Sequence, residues 1–181
     1  MSYVEYEKAQ KLGLKAFKNA VSKGENEYLP VLDEILEGVD IVGEMSLGIV
    51  QIPLDRIVGT SNVGRTYAFA NNFMPLLDYK TEFGAKWSAL CDSQIEEGIR
   101  DPIKVYEYMN KFYVVEGNKR VSVMKYFDAV TIPAQVTRKI PKKTDLFFLD
   151  QQAVILCHRS VQQMVPLNKH FADGTAHHAA R

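Results

Sequence analysis

A strand, a tight turn, a second strand and a helix follow one another between residues 103 and 127, and no other segment limits the fold as strongly. The segments Ile103 to Met109 and Phe112 to Val115 are typical of strands, and Asn110-Lys111 between them predicts a hairpin turn. Gly117 then separates the second strand from a helical pattern over Val121 to Phe127. Paired strands that lead directly into a helix predict an α+β fold.

The turn between the second strand and the helix, Glu116 to Arg120, carries the chemistry that the sequence predicts. The first turn of a helix presents backbone N–H groups and the positive end of the helix dipole, and both favour an anion. Lys119 and Arg120 bring two cationic side chains to the same point. We therefore predict that this turn binds a phosphate or a carboxylate. The alternative is an ordinary glycine turn with two solvated charges.

From Gln51 to Val136 the chain resembles the ParB N-terminal domain of the ParB/sulfiredoxin superfamily, through three motifs in the family's order. The first is Ile52 to Ile57, which is similar to the family's first strand and the turn after it. The second spans Ser93 to Val105, and the third is Gly117 to Arg120, which stands where the family has Gly-Glu-Arg-Arg. The resemblance implies a ParB/sulfiredoxin-like core, which is a small mixed sheet with packed helices.

The resemblance also implies a ligand, namely a nucleotide or another phosphate-bearing molecule, with magnesium as an accompanying ion. The ligand-binding residues that it implies lie in the turn, after the first strand and in the second motif: Gly117, Asn118, Lys119, Arg120, Thr60, Ser61, Arg65 and Arg100. Glu116 and Asp101 are the candidate catalytic carboxylates, as base or metal ligand. Whether the protein is an enzyme stays open, with a nucleotide hydrolase and a phosphotransferase as the candidate classes.

The chain departs from the family at Asn118, which replaces the glutamate of the third motif. In sulfiredoxins the comparable position carries a reactive cysteine, so thiol phosphotransfer is not expected here. Cys157-His158-Arg159 is similar to the sulfiredoxin Cys-His-Arg, but no glycine turn precedes it and it lies outside the matched segment. We interpret it as a coincidence. The cysteines and histidines show no spacing typical of a metal site, and none is predicted.

Three regions are expected along the chain. Residues 1–44 carry two helical patterns, Ser2 to Ser22 and Tyr28 to Leu36, and predict a helical hairpin ahead of the core. Residues 45–143 form the ParB/sulfiredoxin-like domain, and residues 144–181 form a C-terminal extension whose end has no packing pattern. Within the core, Thr81 is predicted to cap a helix that Gly98 ends. One face of that helix carries apolar side chains, at Phe83, Trp87, Leu90, Cys91 and Ile95, and of these Trp87 and Cys91 are predicted to lie in the core.

Charge is spread unevenly along a chain that is neutral overall. Residues 1–44 hold five Lys/Arg and nine Asp/Glu, whereas residues 100–143 hold ten Lys/Arg and four Asp/Glu. A cationic middle suits a phosphate-bearing ligand. The basic run Arg138 to Lys143 leaves contact with nucleic acid open without favouring it, because a neutral chain has no general attraction to a polyanion.

No apolar run approaches the about 20 residues that a membrane helix needs, and the first residues do not resemble a signal peptide. The sequence therefore predicts a cytoplasmic protein without a membrane partner, and a homodimer is left open. Two other functions also stay open. One is a DNA-associated partition or regulatory module, although too few residues follow Val136 for a helix-turn-helix domain. The other is a non-catalytic scaffold with a degenerate pocket.

Overall fold

The computed structural model of the chain describes residues 2–142. They form a five-stranded mixed sheet with packed helices, which confirms the predicted fold class. The strands are β1 (Ile41–Pro53), β2 (Ile57–Thr60), β3 (Ile103–Tyr108), β4 (Lys111–Glu116) and β5 (Thr131–Pro141). The helices are α1 (Ser2–Lys23), α2 (Leu32–Ile35), α3 (Glu82–Glu96) and α4 (Asn118–Tyr126).

The sheet has the order β1-β5-β3-β4-β2. β1 and β5 are antiparallel, and so are β3 and β4, whereas β5 runs parallel to β3 and β4 runs parallel to β2. The predicted hairpin is β3 and β4, and its turn lies at Met109 and Asn110, which have φ values of 50° and 63°. This is one residue earlier than predicted, because Lys111 pairs with Tyr108 and so begins β4.

α3 begins where the sequence predicts. Thr81 is its N-cap, and the Thr81 hydroxyl accepts a hydrogen bond from the Gly84 amide at 3.2 Å. Trp87 and Cys91 are fully buried, in a cluster that includes Tyr6 of α1. Ile95, on the same predicted apolar face, is 53% exposed. It lies in the last turn of α3, beyond the cluster around Trp87.

The N-terminal region differs from the predicted hairpin of two helices. α1 is present and packs on α3, but α2 is a single turn. The residues before α2 are extended: Tyr28 bridges to Ala70 and Val31 bridges to Thr60. Pro30 disfavours a helical conformation in the residue before it, and its carbonyl accepts a hydrogen bond from the Thr60 amide at 2.9 Å. The chain from Tyr28 to Val31 is therefore extended instead of helical, and Val31 pairs with the edge strand β2.

β1 begins well before the first motif, which starts at Ile52, and the predicted boundary between residues 44 and 45 falls inside the strand. The basic run continues β5, where its charges are paired across the sheet. Arg138 pairs with the buried Glu107, and Lys139 pairs with Glu44. Lys143 and the predicted C-terminal extension, with Cys157 and the four histidines, lie outside the described residues.

Candidate functional site

A cavity of about 580 Å³ opens at the N-terminus of α4. It lies between α3, the start of α4 and the end of β4. Its walls come from the segment before α3, from α3 itself, and from the passage of β4 into α4. The lining residues are Ala68 and Phe69, then Phe83, Lys86, Ala89 and Leu90, and then Val115 to Arg120. The predicted turn is thus the floor and one wall of a concave site.

Gly117 makes the turn from β4 into α4. Its φ of 108° is a left-handed conformation that residues with a side chain rarely adopt. A Cβ at this position would also lie 2.5 Å from Cγ2 of the buried Ile103. Because the N-cap is a glycine, no side chain caps the first turn of α4. The sequence therefore needs glycine here for two reasons, and the helix start faces the cavity without a capping group.

The two cations of the turn both line the cavity and make different contacts. The ammonium of Lys119 lies 4.9 Å from the centre of the Phe83 ring on α3. The guanidinium of Arg120 donates a hydrogen bond to the Pro102 carbonyl at 2.9 Å, in the loop before β3. On the facing helix, Lys86 adds a third cation and pairs with Glu82 at 2.5 Å. The cavity wall therefore carries three cationic side chains.

Glu116 is the carboxylate among the described residues that line the cavity. Its Oε2 lies 2.7 Å from Nζ of Lys104, and both side chains are 57% exposed. The hydrogen bond from Lys104 lowers the pKa of Glu116, and the positive charges of Lys104 and Arg120 lower it further. Glu116 is therefore ionised at neutral pH and is held by Lys104 at the rim.

Asn118 begins α4 and is 8% exposed. Its Nδ2 donates to Oγ1 of Thr60 at 3.4 Å, and Oγ1 of Thr60 donates to the Val114 carbonyl at 3.1 Å. Oδ1 of Asn118 is buried and has no hydrogen-bond partner among the described residues. Leaving a buried acceptor unsatisfied costs about 1–3 kcal/mol, so this atom needs an explanation.

Thr60, Ser61, Arg100 and Asp101 do not line the cavity. Thr60 and Ser61 are buried, and Oγ1 of Thr60 accepts the hydrogen bond from Asn118. Arg65 lies in the 3-10 helix Val63–Ala68, whose last residue is part of the wall. Arg100 and Asp101 are exposed in the loop before β3. The structure thus brings together Glu116 to Arg120 and leaves Arg100 and Asp101 outside the cavity.

The α3 side of the site is not evident from the sequence. Phe83 and Leu90 belong to the predicted apolar face of that helix, and neither Lys86 nor Ala89 stands out as a candidate site residue. The helical periodicity of α3 shows which residues share a face, but it does not show that this face turns toward α4. Only the packing of α3 on α4 supplies that information.

No metal-holding group of three or more His, Cys, Asp or Glu side chains occurs between residues 2 and 142. Cys91 does not line the cavity, and burial raises the pKa of its thiol to about 11. In the same part of the chain, no helix combines the length and the apolar character needed to cross a membrane. A cytoplasmic location stays a prediction from the sequence.

A solved sulfiredoxin is similar to this chain. The match, to sulfiredoxin from Arabidopsis thaliana, is 23% identical with a TM-score of 0.34, and it covers 55% of this chain and 93% of that protein. No family model matches the chain, and no curated protein matches it. Sulfiredoxin belongs to the superfamily that the sequence resembles, but a match at this level assigns the chain to no family. Membership of the ParB/sulfiredoxin superfamily stays a prediction from the three motifs.

Proposed function

We propose that the protein binds a nucleotide or another small phosphate-bearing ligand in the cavity at the N-terminus of α4. One observation carries this proposal: the start of α4, without a capping side chain, lies in the same cavity wall as Lys119 and Arg120. The helix dipole and the two side chains then act on one bound anion. The cavity, at about 580 Å³, is within the usual range for small-molecule sites.

The opposite wall supports a ligand with an apolar part as well as an anionic part. Phe83 and Leu90 of α3 line the cavity and are partly exposed. An aromatic ring such as a nucleobase could lie against these side chains while its phosphates reach α4. The proposal therefore favours a nucleotide over a bare inorganic anion as the natural ligand.

Magnesium fits this site as a companion of the phosphates. Mg²⁺ is usually held by one or two carboxylates together with phosphate oxygens and water. Glu116 is the carboxylate that the described part of the wall offers, and it would have to leave Lys104 to take part. The ligand's own phosphates would therefore supply most of the oxygen atoms around the ion.

We propose that the site binds a ligand, and we propose no reaction there. A phosphotransferase or hydrolase needs a group that positions the attacking hydroxyl or water, and of the two predicted carboxylates Asp101 is not part of the cavity wall. Contact with nucleic acid is also less favoured, because Arg138 and Lys139 of the basic run are paired with Glu107 and Glu44.

Thermal unfolding with a panel of the four common nucleoside triphosphates, with and without magnesium, tests this function. A ligand that binds only the folded state at 100 times its dissociation constant stabilises it by about 2.7 kcal/mol. We expect a rise in the unfolding temperature for at least one nucleotide. A Lys119→Met and Arg120→Met double variant keeps most of both apolar stems, and it should lose the rise.

Lys15→Met is the matched control, since Lys15 is exposed on α1 and does not line the cavity. It should respond to the nucleotide as the wild type does. Because Arg120→Met also removes the hydrogen bond to Pro102, each variant is compared with its own unfolding temperature without ligand. A double variant that still shows the full rise would place the ligand elsewhere, and a flat response of the wild type would favour a scaffold without a ligand.

A further inference from the structure

The exposed part of α1 combines lysines with large apolar side chains. The helix packs on α3 through a cluster that includes Tyr6. Outside that contact, Lys11, Leu14, Lys18 and Val21 follow at helical spacing, which places them in one row along the helix. Leu14 is 42% exposed and Val21 is 55% exposed. These four residues are called the basic row.

The charges of the basic row are not balanced on the same copy of the protein. Neither Lys11 nor Lys18 forms an ion pair with a residue between 2 and 142. Residues 8–23 hold five Lys/Arg and no Asp/Glu. A row of lysines beside exposed apolar side chains fits a partner surface that is acidic around an apolar centre.

The protein itself carries such a surface around α2. The acidic surface consists of Asp33, Glu34, Ile35 and Glu37, which are all exposed, Ile35 by 41%. None of its three carboxylates is in an ion pair with another described residue. Residues 24–55 hold eight Asp/Glu and no Lys/Arg, so this segment does not neutralise its own charge.

The basic row and the acidic surface lie on opposite sides of the sheet. α2 packs through Leu32 on Tyr108 and Tyr113. α4 packs on Phe112 and Val114, whose side chains point to the other face of β4 from that of Tyr113, and α1 lies on this side with α3. One copy therefore cannot bring its basic row to its own acidic surface, whereas two copies can.

We propose that the protein associates with itself head to tail, through the basic row of one copy and the acidic surface of the next. The lysines face the carboxylates, and Leu14 and Val21 pack on Ile35. Copies of a chain with a net charge of zero do not repel one another. A contact between two different surfaces leaves one of each unused at the ends, so further copies can add. The contact is independent of the proposed ligand, because neither surface lines the cavity.

Sedimentation velocity of the full chain, at low and at moderate salt, tests the association. We expect the wild type to form dimers and larger species at low salt and to dissociate as salt screens the charges. A Lys11→Glu and Lys18→Glu variant should bind itself roughly 10-fold more weakly or worse, because the contact becomes repulsive. A Glu34→Lys and Glu37→Lys variant should show the same loss.

A mixture of the two charge-reversed variants should associate again, since the reversed row of one then meets the reversed surface of the other. Lys80→Glu with Arg100→Glu is the matched control, because it reverses as many charges at exposed positions outside both surfaces. It should associate as the wild type does. Circular dichroism checks the fold of each variant, and if one reversed variant does not fold, the other and the salt series decide.

Three results would overturn the head-to-tail contact: a wild type that stays monomeric at low salt, a folded reversed variant that still associates, or a mixture of folded reversed variants that stays monomeric. A monomeric wild type that binds vesicles of phosphatidylcholine and phosphatidylserine, and loses this binding in Lys11→Glu with Lys18→Glu, would assign the basic row to a membrane surface instead. None of these results bears on the nucleotide panel, which tests the proposed function separately.

Discussion

Glu116 and Lys104 show how one ion pair sets the charge at the rim of the cavity. The pKa of Glu116 is lowered below its ordinary value of 4.5, first by the hydrogen bond from Lys104 and then by the charges of Lys104 and Arg120. A lowered pKa in the folded state means that the pair contributes stability above the unfolded pKa and loses that contribution as the pH falls through the folded pKa. Because both side chains are half exposed, this contribution is small and salt weakens it.

We predict that Lys104→Met raises the pKa of Glu116 toward 4.5, because the hydrogen bond and the nearer positive charge are both removed. An NMR titration of the Glu116 side-chain carboxyl measures the change. Lys15→Met, which alters an exposed charge on α1, should leave the Glu116 titration as it is. An unchanged pKa in Lys104→Met would mean that the pair does not form in solution.

At the scale of elements, the site depends on how β4 passes into α4. The chain leaves the sheet and enters the helix within one residue, Gly117, whose Cα lies against the buried Ile103. This close junction keeps the first turn of α4 against the end of the sheet. The helix start, Asn118 and the two cations are therefore fixed relative to α3, which forms the other wall.

Gly117→Ala is predicted to destabilise the protein by about 1–3 kcal/mol, since the new Cβ meets Ile103 and the left-handed backbone conformation disfavours a side chain. Chemical denaturation measures the loss. Gly43→Ala is the matched control, because nothing lies within 4 Å of a Cβ built there and its φ is not positive. Equal stability of the two variants would contradict the junction described here.

At the scale of the whole molecule, α1 belongs to the same packing unit as the sheet. The Tyr6 ring lies 5.3 Å from the fully buried Trp87 ring, and the Tyr6 hydroxyl donates to the Leu77 carbonyl at 2.8 Å. Trp87 in turn donates to Ser122 of α4 at 2.8 Å. A chain of buried contacts therefore runs from α1 through α3 to the helix that carries the site.

We predict one cooperative unfolding transition, in which the fluorescence of Trp87, the single tryptophan of the chain, coincides with the loss of helical circular dichroism. Tyr6→Ala should lower the free energy of unfolding by about 3–5 kcal/mol, because it leaves a cavity beside Trp87. Tyr6→Phe should cost only about 1 kcal/mol, since it removes one hydrogen bond and keeps the ring. Two separate transitions would mean that the N-terminal region folds by itself.

The elements that the sequence predicts correctly are those whose signals are local. The β3–β4 hairpin, the turn at Gly117, the Thr81 cap and the burial of Trp87 each follow from a few neighbouring residues. It also gathered Glu116 to Arg120 in one site, because these residues are consecutive. Asp101 and Arg100 are site residues that only the family resemblance implied, and they lie in an exposed loop outside the cavity wall.

The sequence by itself determined the order of the elements and the glycine turn from β4 into α4, since backbone conformation and periodicity act over neighbouring positions. Only the tertiary structure decided what faces that turn. The Phe83 and Lys86 wall, the pairing of Arg138 with Glu107 and the extended path of the chain at Pro30 each depend on residues far apart in sequence. Such contacts form only when the sheet and the helices pack together, and the local pattern carries no record of them.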